Sequence, residues 1–233
     1  MLRSQQNEAT VIEVSGSHVC SVAFHPDGTH LFSGSREGVR RWRVTDSQEV
    51  GTRMGTVATN AISVSRDRKW IVCATAKGTS VWDAKTQEKA VEVENTTDVG
   101  AVDTSPDSTR FATTGARPDE SASIWNILTG ERLVGPLQHD YGPVGGVRFS
   151  PDSKHVATLS RSSIHVFDSH DGDQLVKINN EVFNGLVVAT PLAWSNNGQQ
   201  IFAVSSKDKV TYPLGPNWPN CRFTVASTSS ASL

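Results

Sequence analysis

The sequence predicts an all-β fold in which a unit of about 40 residues, made of four short antiparallel strands, occurs about five times. A turn phrase of the type HPDGTHLFSGS recurs after 40, 40, 45 and 45 residues, with its turn at Pro26, Arg66, Pro106, Pro151 and Asn196. An aromatic residue follows each turn and recurs after 40, 43, 42 and 45 residues, at Trp42, Trp82, Trp125, Phe167 and Tyr212. The turn phrases and the aromatic residues thus recur independently with the same period of about 40 residues, and no segment shows sustained helical periodicity. This pattern predicts a β-propeller.

Each unit presents its elements in the same order. An alternating apolar run predicts the first strand, over Val19–Phe24, Asn60–Val64, Ala101–Thr104 and Val144–Phe149. A turn of Pro-Asp-Gly type follows. The second strand comes next, over His30–Ser33, Trp70–Ala74, Arg110–Thr113 and His155–Leu159. The third strand carries the aromatic residue, and a polar turn such as TDSQEVG or DAKTQEKA leads to a shorter fourth strand.

The third strands carry a family resemblance. VWDA at residues 81–84 contains a Trp-Asp pair, and its divergent copies are RWRV (41–44), IWNI (124–127) and VFDS (166–169). Over residues 10–213 these phased copies resemble the WD-repeat β-propeller family, and residues 137–160 resemble the most regular part of such a repeat. The resemblance implies structural roles at Trp42, Trp82, Asp83, Trp125, Phe167 and His139. A looser resemblance is to large fungal WD-repeat arrays.

The resemblance also explains a basic stretch. In RRWR, Trp42 is the blade aromatic, while Arg41 and Arg43 take the positions of Val81 and Asp83. A long arginine can lay its stem on apolar surface and keep its charged end in water. We therefore interpret these arginines as part of the architecture rather than as a nucleic-acid contact.

The number of blades is small for the family, which usually closes with seven. We predict an incomplete seven-bladed ring; a five-bladed ring and an arc completed by a second chain are the alternatives. The predicted organisation is a disordered N-terminus (1–9), the propeller blades (10–213), and a partial sixth repeat with a frayed tail (214–233). Residues 221–227, CRFTVAS, are assigned to the first strand of that sixth repeat. An open arc would leave sheet edges and faces uncovered, which favours self-association.

The composition argues against several classes of protein. Lys and Arg number 22 and Asp and Glu number 24, and this net charge of −2 disfavours a nucleic-acid or membrane partner. Cys20, Cys73 and Cys221 lie far apart, which fits neither a disulfide framework nor a zinc site. The N-terminal residues lack the apolar run of a signal peptide, and no apolar run is long enough for a membrane span. We expect an intracellular protein, in the cytoplasm rather than the nucleus.

The sequence carries no motif of a known enzyme class. It lacks Gly-x-Ser-x-Gly, a P-loop, His-Glu-x-x-His and a Rossmann glycine pattern. His165, Asp168, His170 and Asp171 are residues of metal-ligand type, but they divide between a strand and the next turn, so we expect no metal site. A propeller hydrolase would need carboxylates from several first strands, and only Asp103 is central in one. We predict a non-catalytic protein without a cofactor.

One pattern points to a binding surface. The residue that follows the second strand is basic in all five units, at Arg36, Lys77, Arg117, Arg161 and Lys207. The resemblance places these turns on one face, around the channel where the family docks partners. We predict a protein-interaction scaffold that binds an acidic or phosphorylated protein or peptide there. A nucleic-acid backbone is the second choice of partner.

Two alternatives stay open beside this function. Exposed turns tolerate Lys and Arg, and duplication passes such residues from repeat to repeat, so the basic pattern is also compatible with no binding role. In the second alternative, the chain is a truncated fragment of a longer WD-repeat protein without independent function. An intact scaffold predicts a cooperative unfolding transition, whereas a fragment predicts poor solubility and no stable monomer.

Overall fold

The computed structural model of the chain describes residues 11–12, 14, 18–94, 99–115, 121–139, 143–160, 163–179, 192–204, 209–213 and 226–227. Its strands are short, antiparallel and grouped into five separate sheets. In each sheet the strands lie side by side in chain order, so that each strand pairs with the next one along the chain. Over the described ranges, no helix has the length and apolar character needed to cross a membrane.

The strand bounds follow the predicted units. Sheet 1 contains β1 (Val19–Phe24), β2 (His30–Ser35) and β3 (Gly38–Arg43). Sheet 2 contains β4 (Thr59–Val64), β5 (Trp70–Thr75), β6 (Gly78–Asp83) and β7 (Lys89–Glu94). Sheet 3 contains β8 (Val99–Thr104), β9 (Arg110–Gly115), β10 (Ser121–Asn126) and β11 (Arg132–Gln138). Sheet 4 contains β12 (Gly146–Phe149), β13 (His155–Leu159), β14 (Ser163–Asp168) and β15 (Gln174–Asn179). Sheet 5 contains β16 (Leu192–Trp194), β17 (Gln200–Val204), β18 (Lys209–Pro213) and β19 (Ala226–Ser227).

The register of the strands repeats from sheet to sheet. In every sheet the aromatic residue of the third strand lies opposite the second residue of the second strand, in the pairs Trp42–Leu31, Trp82–Ile71, Trp125–Phe111, Phe167–Val156 and Tyr212–Ile201. The turn before each second strand holds one residue at a φ between 61° and 72°, at Gly28, Arg68, Ser108, Ser153 and Gly198. The predicted all-β fold of repeated antiparallel units is confirmed.

The hydrophobic core is divided into layers, each lying between two consecutive sheets. Between sheets 1 and 2 the layer contains Phe32, Val39, Met54, Ile62, Ile71 and Cys73. Between sheets 2 and 3 it contains Val72, Val81, Val93, Val102, Phe111 and Ile127. Between sheets 3 and 4 it contains Ala112, Ile124, Val134, Val147, Phe149 and Phe167. Between sheets 4 and 5 it contains Leu159, Ile164, Val166, Val176, Leu192 and Ile201. Because side chains alternate across a strand, each inner sheet contributes one face to each of two layers.

Sheet 1 departs from the predicted four strands. The segment after β3 makes two isolated bridges to it, Val39–Met54 and Trp42–Glu49, instead of a continuous ladder. Gly51 lies between these bridges at a φ of 82°, a backbone conformation that interrupts regular strand pairing. The segment therefore follows the edge of β3 without forming a fourth strand.

The C-terminal strand also differs from its assignment. Ala226–Ser227 pairs with β18 and completes sheet 5, instead of starting a sixth sheet. The edge of β18 carries unpaired backbone groups that a later strand can satisfy. Residues 1–9 and the rest of 214–233 lie outside the described residues, so the predicted domain boundaries stay predictions.

The outer face of sheet 1 is exposed. Val22 and Phe24 of β1 keep 55% and 65% of their accessible surface, whereas Ala23, on the other face of the strand, packs against the layer shared with sheet 2. An inner sheet has a neighbour on both faces, and sheet 1 leaves these apolar side chains uncovered. Five sheets and an uncovered face are consistent with the predicted incomplete ring.

Candidate partner-binding face

Two of the five predicted basic residues lie in the described part of the chain, and both are exposed. Arg36 lies in the β2–β3 turn and Lys77 in the β5–β6 turn. The two turns share one geometry, because a hydroxyl at the end of the second strand donates to the carbonyl of a glycine that starts the third. Ser35 Oγ lies 3.2 Å from Gly38 O, and Thr75 Oγ1 lies 3.0 Å from Gly78 O.

The backbone conformation of these turns explains why each contains a glycine. Gly38 and Gly78 have φ values of 113° and 136°, which disfavour any side chain. A Cβ on Gly38 would also lie 2.4 Å from the carbonyl oxygen of Gly55. Arg36 is the first and Lys77 the second of the two residues between paired strands, so the two cations lie in turns of the same kind but at adjacent rather than identical positions, and Glu37 takes the place of Lys77 in sheet 1. Arg117, Arg161 and Lys207 lie outside the described residues, so their place on this face stays a prediction.

The acid beside Arg36 is engaged elsewhere. Glu37 Oε2 lies 3.1 Å from Nη2 of Arg40 and 3.0 Å from Nη1 of Arg53. Among the described residues, neither Arg36 nor Lys77 takes part in an ion pair. The two exposed cations are therefore available to an external anion, and Glu37 is already shared by two other arginines.

The arginines around Trp42 are held within sheet 1 and its neighbour. Arg40 is buried and contacts Glu37 and Glu49, and Arg43 Nη1 donates to Asp46 at 2.7 Å. Arg41 Nη1 donates to the carbonyl of Ala84 in the following repeat at 3.4 Å. These intramolecular contacts agree with an architectural role for the stretch.

The predicted repeat positions form a partial set of polar contacts. Nε1 of Trp42 donates to Ser33 Oγ, and Nε1 of Trp125 donates to Thr113 Oγ1, each at 2.8 Å. At the equivalent place in sheet 4, His139 Nε2 lies 2.7 Å from Thr158 Oγ1. The histidine ring stacks on His165 at 4.3 Å, and His165 lies beside Phe167. The aromatic residue thus ties the third strand to the second, or packs where that bond is missing.

Asp83 has a different role from the tryptophans. Its Oδ1 accepts the backbone N–H groups of Lys85 and Thr86, each at 2.8 Å. The bond from Thr86 lowers the pKa of the carboxyl group. In the same position of sheet 3, Asn126 Oδ1 accepts from Leu128 at 2.9 Å. These residues shape the turn that follows the third strand.

The replacement of Ser33 by alanine should lower the free energy of unfolding by about 1.5 kcal/mol, because it leaves a buried indole N–H without an acceptor. Trp42 keeps 5% of its accessible surface, so water has little access to that group. Urea unfolding followed by tryptophan fluorescence measures the change. The control is Ser33→Thr, since Thr113 holds this position in sheet 3, and it should leave stability within about 0.5 kcal/mol of the parent. Equal stability of both variants would contradict the role of this bond.

The sequence did not predict the hydrogen bonds that join consecutive first strands. The backbone N–H of Ile62 donates to Ser21 Oγ at 3.1 Å, and that of Thr104 to Ser63 Oγ at 3.0 Å. At the next step, Phe149 N donates to Asp103 Oδ2 at 2.8 Å. The sequence feature that could have predicted these bonds is a polar residue in the same part of each first strand, at positions 21, 63 and 103. Asp103 is thus a link between sheets 3 and 4.

The surroundings of the other candidate catalytic or metal-binding residues agree with structural roles. Arg148 and Arg66 are the charged groups that act on Asp103. His165 is buried in β14, whereas His170 is exposed in the turn that follows. In the part of the chain that the structure describes, no three His, Cys, Asp or Glu side chains are grouped as a metal site.

Comparisons with known proteins agree with this architecture. The family model "WD domain, G-beta repeat" matches residues 9–42, a segment that includes β1, β2 and most of β3. The small ribosomal subunit protein RACK1 of Schizosaccharomyces pombe is 31% identical over 77 residues, which are 33% of this chain. The β-propeller domain of Cps50 (Swd1) from Myceliophteria thermophila superposes with a TM-score of 0.74 at 14% identity, over 91% of this chain and 72% of that domain.

Together these findings support a WD-repeat β-propeller family for this chain. The propeller matches only 24% of the length of its RACK1 relative. It also superposes on hydrazine synthase of Kuenenia stuttgartiensis with a TM-score of 0.70 at 17% identity, over 95% of this chain and 66% of that one. At such identities the solved structures show a shared fold and carry no information on activity. WD-repeat propellers are typically protein-interaction scaffolds, so the family agrees with a binding role.

Proposed function

We propose that this propeller is a non-catalytic scaffold that binds an acidic or phosphorylated peptide on the face that carries Arg36 and Lys77. The observation that supports the proposal is that both cations are exposed at the tips of equivalent turns and form no ion pair with described residues. Arginine and lysine bind carboxylate and phosphate through charge-assisted hydrogen bonds. Arg117, Arg161 and Lys207 would extend the surface to the other repeats.

We also propose an intracellular location. The RACK1 relative is named as a ribosomal protein, and the thiol of Cys73 is unpaired and buried. Within the cell, we propose the cytoplasm rather than the nucleus. The resemblance to fungal WD-repeat arrays is a further expectation of the same kind.

The replacement of Arg36, Lys77, Arg117 and Arg161 by serine should weaken peptide binding by about tenfold, because each lost exposed ion pair contributes a few tenths to about 1 kcal/mol. The salt dependence of binding should also become flatter. Fluorescence anisotropy with labelled acidic and phosphoserine peptides, from 50 to 300 mM salt (about 14 to 6 Å of screening length), measures both effects.

The matched control removes four exposed cations from the opposite end of the sheets: Lys69, Lys85, Arg132 and Lys154. The change in net charge is the same, so only the position of the charges differs. Equal loss of binding in the two variants would mean a non-specific charge effect and would contradict the proposed face.

Light scattering on the same samples gives the mass of the particle. Association through the uncovered face of sheet 1 would appear there as a dimer or larger species.

A further inference from the structure

A pocket of about 130 Å³ lies between sheets 1 and 2, beside the turn that carries Lys77. One wall comes from sheet 1 and the segment that follows it, through Val39, Met54, Gly55 and Val57. The other wall comes from sheet 2, and its members include Cys73, Lys77, Ser80, Trp82 and Lys89. The pocket therefore interrupts the apolar layer between these sheets, and it extends from Lys77, at the end where the proposed partner would bind, to Lys89 at the start of β7.

A sequence difference in sheet 2 accounts for the apolar wall. Cys73 occupies the second-strand position that Ser33 and Thr113 hold in sheets 1 and 3. Its sulfur does not receive the indole N–H, and Nε1 of Trp82 donates instead to Ser80 in its own strand, at 2.8 Å. Burial raises the pKa of the Cys73 thiol to about 12, so the group is neutral and behaves as a small apolar side chain. The polar contact between the second and third strands is missing beside the pocket.

The absence of a side chain at position 55 leaves further space. Gly55 has a φ of 71°, and a Cβ placed on it would lie 3.5 Å from the ring of Trp82. The carbonyl of Gly55 packs against Gly38, which follows Arg36 and Glu37 in the β2–β3 turn. The basic turn of sheet 1 and the pocket are therefore adjacent.

The charges at the pocket favour an anion at its Lys77 end. Lys89 is paired with Glu92 at 2.7 Å and also lies over the ring of Trp82 at 5.7 Å. Lys77 is exposed and forms no ion pair with a described residue. The charges of Lys89 and Glu92 cancel. The described residues that line the pocket therefore have a net charge of one positive unit, which lies on Lys77.

We propose that this pocket receives one aliphatic side chain of the partner peptide, with an acidic group next to it on the peptide paired with Lys77. The inference rests on the proposed function and specifies the partner as an acidic segment with an apolar anchor. The volume is appropriate, since an apolar cavity of about 150 Å³ holds one benzene molecule. In protein recognition, a side chain buried in a pocket usually supplies most of the binding energy, and charge pairs at the rim supply less.

The test uses an array of acidic hexapeptides in which one central position carries Gly, Ala, Leu, Met or Phe. We expect Leu or Met at this position to bind about tenfold more tightly than Gly, because such a side chain transfers apolar surface from water into the pocket. The substitution Val57→Phe should fill the pocket and remove this preference while the salt dependence is kept. The control Val44→Phe alters a half-buried valine at the other end of sheet 1 and should keep the preference.

The pocket also contains its own reporter. Met54 lines the pocket, and the chain has one further methionine, Met1. In a ¹³C-methyl-methionine sample, the Met54 signal should shift when the Leu peptide binds and stay in place with the Gly peptide. If binding depends on salt but its affinity is the same for every central residue, and the Met54 signal does not shift, the pocket proposal is wrong and the proposed function is unaffected. No binding by any peptide of the array would contradict both.

Discussion

Replacement of Arg110 by alanine should lower the free energy of unfolding by about 3 kcal/mol, because it removes a buried charged group that joins two sheets. The guanidinium group keeps 9% of its side-chain exposure and donates to Ser153 O at 2.7 Å and to Ser169 O at 2.8 Å. It also contacts Ser169 Oγ at 3.0 Å and lies 5.7 Å from the ring centre of Phe149. The substitution removes the guanidinium donor from the carbonyls of Ser153 and Ser169, and Ser153 O keeps the bond from Ser169 Oγ at 2.7 Å.

Thermal and urea unfolding measure the loss, which should appear as a fall in Tm of about 6–12 °C for a chain of this length. Arg110→Lys should recover part of the stability, since one ammonium group cannot reach every acceptor of a planar guanidinium. The matched control is Arg132→Ala, an exposed arginine of the same sheet, which should change stability by no more than about 0.5 kcal/mol. If the two alanine variants are equally stable, Arg110 does not join the sheets as described.

The replacement of Asp103 by asparagine should stabilise the protein at pH 8 by about 2 kcal/mol, a value below the full effect of the pKa shift because solvent screens a partly exposed group. Burial raises the pKa of Asp103 from 3.8 to about 6, against the opposing charge of Arg148 and the hydrogen bond from Phe149 N. The side chain keeps 20% of its exposure. Asparagine keeps an oxygen that accepts from Phe149 N, so the link to sheet 4 survives without the buried charge.

The sign of the pH dependence follows from this shift. Between pH 4 and 6 the folded protein holds a proton on Asp103 that the unfolded chain releases, so the contribution of this group to stability falls as the pH rises and is fully lost above pH 6. The parent and Asp103→Asn should therefore have similar stability near pH 4 and diverge above pH 6. The difference is read from urea unfolding curves across this range.

A carboxyl group with the opposite shift provides the control. Burial alone would raise the pKa of Asp107, but hydrogen bonds from Ser105 and Thr109 outweigh burial and lower it to about 2. Asp107→Asn should therefore destabilise the protein at neutral pH. A gain in stability at pH 8 from both substitutions would show a general effect of net charge and contradict the role assigned to Asp103.

The repeat and its register follow from local features of the sequence. The turn phrases and the aromatic residues predict the sheets, and Trp42, Trp82 and Trp125 occupy equivalent places in their strands. The divergence between the copies is visible in Arg43, which stands where the later repeats have Asp83, Asn126 and Asp168. Its side chain cannot accept the turn N–H groups that those residues accept. Period-two alternation and turn chemistry act within a few residues, which is why a sequence pattern can reveal them.

The sequence by itself determined the all-β repeat, the position of the blade aromatics and the exposed turns at Arg36 and Lys77. Only the tertiary structure decided what lies between the sheets. It shows Arg110 bonded to turns 43 and 59 residues away, Asp103 bonded to the next sheet, and a pocket where Cys73 replaces a hydroxyl. These features depend on how one sheet is stacked on another, and a period of about 40 residues specifies that neighbours exist without specifying which of their atoms meet.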